Sequence, residues 1–284
     1  MTTITTRYGE LTPQTTATEL RRKDIEPITY HANGQVKSIP LETQTPIVTP
    51  AGAIPAELVS FHENGTINRI FPLNGKLSGY WTQEDEESLA APVRLLTPLG
   101  KREARVISVS FYDNEAIRSI TLWPGETIPV STASGFIQAR IGISFTRDGV
   151  IESLEPAAPS TIQTLAGEIT AFDPDAVGVN GDANSLVFDE DGNVIRVTTT
   201  LSKLKAVHPN GTISHFVPGT RESLCSESEE EIVPMVVSIG KQTITIQTTA
   251  TAPARKLPLD QHLFFTEPYL PQLANSLERM HCSI

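Results

Sequence analysis

The phrase Phe61-His62-Glu63-Asn64-Gly65 recurs, with small variations, along most of this chain. It consists of an aromatic residue, two variable residues, Asn or Asp, and Gly. The further copies are Tyr30-His31-Ala32-Asn33-Gly34, Phe145-Thr146-Arg147-Asp148-Gly149, Phe188-Asp189-Glu190-Asp191-Gly192 and, with Val in the aromatic position, Val207-His208-Pro209-Asn210-Gly211. A degenerate copy, Phe111-Tyr112-Asp113-Asn114-Glu115, ends in Glu instead of Gly. Such repetition predicts a repeat architecture, but it names neither a ligand nor a reaction.

The residues around each copy have the pattern of a β-hairpin. Before the aromatic residue, apolar and small polar residues alternate, as in Ile107-Ser108-Val109-Ser110-Phe111, which is typical of a strand with one buried face. A three-residue loop, Glu63-Asn64-Gly65, would place Phe61 opposite Ile67, so that both can face the core. The last residue of such a loop is left-handed, a conformation that Gly adopts most readily. We therefore predict a structural turn role for one glycine in each complete copy: Gly34, Gly65, Gly149, Gly192 and Gly211.

Beyond the turn, the spacing of apolar residues changes from two to three, for example from Ile67 to Ile70. A regular strand would place these two side chains on opposite faces. Either a β-bulge lies between them, or the outgoing strand is covered on both faces. The sequence leaves both possibilities open.

A second turn phrase, Thr-x-x-Gly, lies upstream of several copies, as in Thr49-Pro50-Ala51-Gly52 and Thr97-Pro98-Leu99-Gly100. Consecutive short strands joined by short turns predict an all-β fold, an antiparallel meander of repeated β-hairpins with about fifteen strands. Because the repeats vary in length, an elongated coiled sheet is favoured, and a rolled barrel is the alternative.

Three regions are expected along the chain. Residues 1–25 are a polar N-terminal lead-in, residues 26–260 are the β-hairpin repeat region, and residues 261–284 are a C-terminal helical cap. The cap is predicted as a short C-terminal helix that opens at Thr266 or Pro268 and covers the last open edge of the sheet. Its apolar residues follow helical spacing: Leu270, Leu273, Ala274, Leu277 and Met280.

Composition excludes several classes of partner. The 284 residues include 33 acidic and 22 basic side chains, a formal net charge of -11, which argues against binding nucleic acid or an anionic membrane surface. Two cysteines, Cys225 and Cys282, fit a reducing compartment. The first residues lack the pattern of a signal peptide, and no apolar run is long enough to span a bilayer. We therefore expect an acidic, cytoplasmic protein without a cofactor.

The phrase aromatic-x-x-Asn-Gly-x-Ile-x-x-Ile resembles the hairpin repeats of MORN-like proteins, including the bacterial antitoxin-component repeat proteins. It is also similar to uncharacterised repeat proteins of anaerobic bacteria. The resemblance covers roughly residues 27–219. It implies a bacterial β-hairpin repeat protein, and it assigns no functional residue.

One repeat carries an insertion that is a candidate ligand site. Gly167 and Gly192 are separated by 25 residues, about ten more than in the other repeats. Binding loops often grow as insertions on a repetitive scaffold. The candidate ligand-binding residues are Asp173, Asp175, Asn180 and Asp182. Their oxygens suit a hard cation such as calcium, but Asp and Asn are also ordinary turn residues, so the metal remains unknown.

Three histidines occupy the position just after the first residue of the phrase: His31, His62 and His208. If the preceding side chain points into the core, these side chains point outward beside the hairpin tips. They are either a metal-binding or proton-titrating row, or polar residues that suit the flank of a turn.

The sequence favours a non-enzymatic cytoplasmic repeat scaffold or protein-binding module, with another protein as its partner. The binding surface would be an exposed sheet face or the 168–184 insertion. The alternative is a carbohydrate-active or cation-dependent enzyme that uses groove carboxylates, although we identify no catalytic residue. A concave pocket with two carboxylates of strongly shifted pKa would favour the enzyme.

Overall fold

The computed structural model describes residues 3–176, 181, 184–222 and 230–270. The chain divides into two compact units. The first unit comprises Met1–Val130, Gln138–Leu154 and Val177–Ala183, and the second comprises Ser131–Ile137, Glu155–Ala176 and Asn184–Ile284.

The described residues up to Pro156 form thirteen strands and one short helix. The strands are β1 (Ile4–Thr6), β2 (Gly9–Leu11), β3 (Thr29–Tyr30), β4 (Val36–Thr49), β5 (Gly52–Phe61), β6 (Ile67–Phe71), β7 (Val93–Thr97), β8 (Gly100–Ala104), β9 (Val106–Phe111), β10 (Ile117–Leu122), β11 (Ile128–Thr132), β12 (Gly135–Phe145) and β13 (Ile151–Pro156), and the helix is α1 (Gln83–Glu87). In the first unit the main sheet has the order β13-β12-β10-β9-β6-β5-β4-β3, while β1-β2 and β7-β8 form separate hairpins.

The remaining strands belong to the second unit. They are β14 (Ser160–Thr164), β15 (Gly167–Ala171), β16 (Leu186–Phe188), β17 (Val194–Thr199), β18 (Ser202–Val207), β19 (Ile213–Phe216), β20 (Gly219–Glu222), β21 (Glu230–Val233), β22 (Met235–Ile239), β23 (Thr243–Gln247), β24 (Arg255–Pro258) and β25 (Leu263–Pro268), with a 3-10 turn at Leu259–Gln261. The sheets have the orders β24-β23-β22-β17-β16 and β19-β18-β25, accompanied by the hairpins β14-β15 and β20-β21.

The predicted all-β class with an antiparallel hairpin meander is confirmed. In neither unit does the order of the described strands close on itself, so the barrel alternative is not observed. The described residues contain 25 strands rather than about fifteen. The count was low because short hairpins such as β1-β2 and β20-β21 do not carry the aromatic phrase that signals a repeat.

The three-residue loop is confirmed at the aromatic phrase. The Gly65 N–H donates to the His62 carbonyl (2.9 Å), and the His62 N–H donates to the Thr66 carbonyl (2.8 Å). Phe61 pairs with Ile67 across the ladder, and Gly65 has a φ of 78°. These bonds define a three-residue loop closed by a left-handed residue. The same pair of backbone bonds recurs at His31/Gly34, Tyr112/Glu115, Thr146/Gly149, Asp189/Gly192 and His208/Gly211.

A β-bulge explains the change in apolar spacing. Ser60 pairs with Arg69 while Phe61 pairs with Ile67, so Asn68 is the extra residue of the outgoing strand. Ile67 and Ile70 are consequently both buried. Of the two possibilities that the sequence left open, the structure has the bulge.

The degenerate copy keeps the same turn without glycine. Glu115 adopts a φ of 68°, a left-handed conformation that is uncommon for a residue with a side chain. Its carboxylate accepts a hydrogen bond of 2.5 Å from the Tyr8 hydroxyl, whose oxygen in turn accepts one from the Ile67 N–H. Burial and the bond to Glu115 raise the pKa of Tyr8 to about 12. The Glu115 side chain, which stands where the other copies have Gly, therefore attaches the β1-β2 hairpin to the main sheet through Tyr8.

The Thr-x-x-Gly turns also have one geometry. The Thr49 hydroxyl donates to the Gly52 carbonyl (2.9 Å) and accepts from the Ala51 N–H (3.1 Å). The Thr hydroxyl makes the same donated bond at Thr97, Thr132 and Thr164. A hydroxyl at the first position thus satisfies two backbone groups of the turn, which is why the phrase begins with Thr.

The C-terminal region differs from the expected helical cap where it is described. Leu263–Pro268 form β25, which pairs with β18, so no helix begins at Thr266 or Pro268. Residues 271–284, which carry most of the apolar helical pattern, lie outside the described residues.

We expect replacement of Gly65 by Val to destabilise the protein by about 1–2 kcal/mol, because a β-branched residue would be forced into the left-handed conformation. No atom lies within 4 Å of the position that a Cβ would take, so the loss would come from backbone strain alone. The measurement is the free energy of unfolding in urea. Gly65→Asn is the control, because Asn tolerates this conformation better. Equal stability of the Val variant and the native protein would contradict the role assigned to this turn.

Candidate functional site

The four residues predicted to bind a ligand are only partly described. Asp173 and Asp175 share one turn, in which the Asp175 N–H donates to the Asp173 carboxylate (3.1 Å). This is the ordinary turn role that the sequence left open as the alternative. Asn180 and Asp182 lie outside the described residues.

One residue of the insertion has a packing role in the first unit. Gly181 is buried, and its N–H donates to the Thr121 hydroxyl (3.0 Å). A Cβ on Gly181 would lie 2.6 Å from the Ile120 carbonyl oxygen, and a Cβ on Gly142 would overlap the Gly181 Cα. Gly181 therefore lies against β10 and β12 at a point where only glycine fits.

The histidines of the first unit connect neighbouring hairpins. The His31 ring Nε2 lies 2.8 Å from the Phe61 carbonyl oxygen, and the His62 Nε2 lies 3.0 Å from that of Phe111. Tyr112 occupies the same repeat position, and its hydroxyl donates to the Phe145 carbonyl (2.9 Å). The outward-pointing residue of one tip thus bonds to the backbone of the next.

Asparagines of the phrase add to this connection. The Asn33 amide donates to the Glu63 carbonyl (3.0 Å), and the Asn64 amide donates to that of Asp113 (3.3 Å). His208, in the second unit, accepts at Nδ1 from the Asn210 N–H of its own turn (3.2 Å). Within the part of the chain that the structure describes, no group of three or more His, Cys, Asp or Glu side chains is arranged to hold a metal ion.

Two carboxylates come together in the first unit, where the Arg21 guanidinium lies between them and bonds to both. The Arg21 guanidinium donates to Glu57 (2.6 and 3.0 Å) and to Glu86 (2.7 and 2.8 Å). Glu86 also accepts from the Trp81 indole and the Gly75 N–H, each at 2.7 Å. Burial pushes the pKa of Glu86 upward, but these hydrogen bonds outweigh it and hold the pKa below the usual value. The cluster has the properties of a structural ion network rather than of an acid–base pair.

The strongest candidate site is a groove in the second unit, with a cavity volume of about 940 Å³. Four segments that are distant in sequence line it: the tip of the β11-β12 hairpin at residues 133–134, the β14-β15 hairpin at 161–168, the aromatic-phrase turn at 189–195, and the turn at 239–241. Sequence reasoning missed this groove, because no local pattern signals that these turns meet.

The groove has a negative lining. Glu168, Asp189 and Asp191 line it with one basic residue, Lys241. The Asp189 carboxylate accepts from the Asn193 side chain and N–H and from the Asp191 N–H, and these bonds, helped by the charge of Lys241, lower its pKa. Asp189 is therefore ionised at neutral pH.

Apolar side chains lie beside these charges. Leu165, at the tip of the β14-β15 hairpin, is 64% exposed, and Ile195 lines the groove next to the 189–193 turn. Phe136 lies two residues beyond Ser134 in the β11-β12 tip and is also exposed. The groove thus offers acidic and apolar groups together.

No family model, curated protein or solved structure matches this chain. Among the described residues, no helix has the length and the apolar character needed to cross a bilayer.

We expect Gly142→Ala to destabilise the protein by about 1–3 kcal/mol, the usual range for overpacking, because the added methyl group would displace Gly181. The measurement is the urea midpoint at constant m-value. The matched control is Gly79→Ala, since Gly79 has open space around its Cβ position and no left-handed φ. Equal losses of stability in the two variants would show that Gly142 and Gly181 are not in close contact.

We expect Arg21→Met to destabilise the protein by about 3–5 kcal/mol, because it would leave two buried carboxylates without their counter-ion. The control is Arg94→Met, which breaks an ion pair with Glu103 on the surface, where the Arg94 side chain is 85% exposed, and should change stability by less than about 1 kcal/mol. Unfolding in urea measures both, and similar losses would contradict a buried network.

The pH dependence follows from the lowered pKa of Glu86. A carboxyl whose pKa is lower in the folded state stabilises the fold fully above its unfolded pKa, about 4.3 for Glu. This contribution is lost as pH falls through the lower folded value. We expect the stability of Glu86→Gln to fall less steeply with acidification than that of the native protein, as measured by urea unfolding between neutral and acid pH.

Proposed function

We propose that this chain is a non-enzymatic, cytoplasmic protein-binding scaffold, and that its groove in the second unit takes an extended, positively charged segment of a partner protein. The observation that carries the proposal is the groove itself, a concavity of about 940 Å³ with three carboxylates and one ammonium group in its lining. Its volume is at the upper end of the range of ligand pockets, which suits a short stretch of polypeptide.

The chemistry of the lining supports a basic partner. Glu168 and Asp191 are exposed, and Asp189 is held ionised by its hydrogen bonds. Complementary charge steers a partner and selects its orientation, while apolar contacts contribute most of the affinity. Leu165 and Ile195 provide such contacts, so the partner segment would combine Lys or Arg with apolar side chains.

The repeat architecture supports a scaffold role. The aromatic-x-x-Asn-Gly phrase resembles the hairpin repeats of MORN-like proteins, and a repeated framework presents turns at defined spacings. The presence of only two cysteines supports a reducing, cytoplasmic location.

The lowered pKa of the Asp189 carboxyl group favours binding over catalysis. A general acid needs a raised pKa, whereas the pKa of Asp189 is lowered and its oxygens are occupied by its own turn. The alternative, a carbohydrate-active or cation-dependent enzyme, stays a prediction. Hydrolysis of an oligosaccharide panel that is lost in Asp191→Asn would favour it.

The test is binding of a fluorescein-labelled peptide of alternating Lys and Leu, followed by fluorescence anisotropy. We expect the double variant Glu168→Lys, Asp191→Lys to weaken binding at least tenfold, and added salt to weaken binding to the native protein. A peptide of alternating Glu and Leu should not bind.

The matched control reverses two exposed charges in the first unit, Glu10→Lys and Glu19→Lys, and so changes the net charge equally. It should leave the affinity within about twofold, since neither side chain lines the groove. Equal losses in both double variants would contradict the proposal, because binding would then follow the overall charge of -11 rather than the groove.

A further inference from the structure

One edge of the β14-β15 hairpin has no partner strand among the described residues. The two strands form a sheet by themselves. On the β15 side, the Thr170 N–H donates to the Ser202 hydroxyl of β18 (2.9 Å), so this edge is in contact with another element. On the β14 side, no described strand continues the ladder.

The direction of the Thr170 N–H fixes which groups of β14 point outward. Thr170 pairs with Thr161, and its N–H is directed away from β14, towards Ser202. In such a non-hydrogen-bonded pair both residues turn their N–H and C=O groups away from each other, so those of Thr161 point away from β15. The pattern of an antiparallel ladder repeats every two residues, and the same therefore holds for Gln163. The outer edge of β14 thus presents the main-chain donors and acceptors of Thr161 and Gln163.

β14 lacks the features that keep other edge strands from pairing. Its sequence, Ser160–Thr164 (STIQT), contains neither a charge nor a proline, and its pairing with β15 has no register shift. By contrast, β24 carries Arg255 and Lys256, and β20 carries Arg221 and Glu222. Charges, prolines and bulges are the usual protection of an edge. An edge without them is a template to which an extended segment can add.

The residues with outward main-chain groups belong to the groove. Thr161 and Gln163 line it, together with Glu168, which pairs with Gln163 across the hairpin. Paired residues share a face of the sheet, so these three side chains lie on one face, where all three are exposed. Ile162 and Ile169 are buried on the opposite face. An added strand would therefore meet a carboxylate on one face and extend a buried apolar surface on the other.

We propose that the partner segment binds by adding to the outer edge of β14 as an antiparallel strand. Its residues opposite Thr161 and Gln163 exchange main-chain hydrogen bonds with them, and their side chains share the face of Glu168, so these residues are the basic ones. The residues between them share the face of Ile162 and are apolar. Antiparallel pairing is the more stable of the two directions. The inference rests on the proposed function and adds to it the main-chain contacts and the alternation of the partner.

The test uses the fluorescein-labelled peptide of alternating Lys and Leu in two further forms, one N-methylated at every Lys and the other at every Leu. An N-methyl group removes the N–H donor and obstructs one edge of a strand, while the side chains stay the same. In the antiparallel arrangement the Lys amides face β14, so methylation at Lys should weaken binding at least tenfold. Methylation at Leu, whose amides face away from β14, should leave the affinity within about threefold.

A protein variant tests the same contact from the other side. Gln163→Pro removes one outward N–H of β14 but no bond to β15, because proline is tolerated at an outward position of an edge strand. We expect it to weaken binding of the unmethylated peptide about fivefold. The matched control is Lys256→Pro, since Lys256 occupies an outward position of β24, two residues before Pro258, and it should leave the affinity within about twofold. Urea unfolding of both variants checks that stability is retained.

The outcomes separate this inference from the proposed function. Equal binding of all three peptides that is still weakened by the double variant Glu168→Lys, Asp191→Lys would overturn strand addition and leave the groove as the binding site. Equal losses from the two methylations would also overturn strand addition, because neither edge of the peptide would then be distinguished. Loss confined to methylation at Leu would overturn the antiparallel direction. Absence of binding by the unmethylated peptide would overturn the proposed function, and strand addition with it.

Discussion

Each hairpin of the repeat depends on one left-handed residue that closes its three-residue loop. At Gly65 this conformation brings Phe61 opposite Ile67, and the bulge at Asn68 then turns Ile70 to the same side. A single backbone angle thereby sets the register, and the register decides which side chains enter the core. Glu115 shows that the turn requires a left-handed φ and not a glycine. Glu115 adopts a similar φ, and its side chain forms a hydrogen bond with Tyr8.

The all-β class and the loop geometry could be predicted because both are local properties of the phrase. The choice between a bulge and two-sided cover could not, since it depends on whether Ser60 pairs with Asn68 or with Arg69 beyond the turn. The helix expected at Thr266 fails for a similar reason. Leu263–Pro268 pair with β18, and this tertiary pairing makes a strand of the residues at which the helix was expected to begin.

The candidate site was harder to predict than the fold. Asp173 and Asp175 attract attention as neighbouring carboxylates, yet the Asp175 N–H and the Asp173 carboxylate bond to one another within a turn. The groove instead combines Glu168, Asp191 and Lys241, which are far apart in sequence. One feature of the sequence could have indicated that the histidines bond to carbonyl groups rather than to a metal. Tyr112 takes the place of His in the third copy, which is unsuited to a shared metal but suits a donor to a carbonyl.

The bonds between neighbouring tips bear on how such a chain changes its length during evolution. The donors His31, His62 and Tyr112 all reach a main-chain oxygen, which any residue supplies whatever its side chain. A hairpin copied by gene duplication and inserted between two others would find its acceptor already in place, with no compensating mutation. The contacts between neighbouring tips therefore place no side-chain requirement on the hairpin that supplies the acceptor.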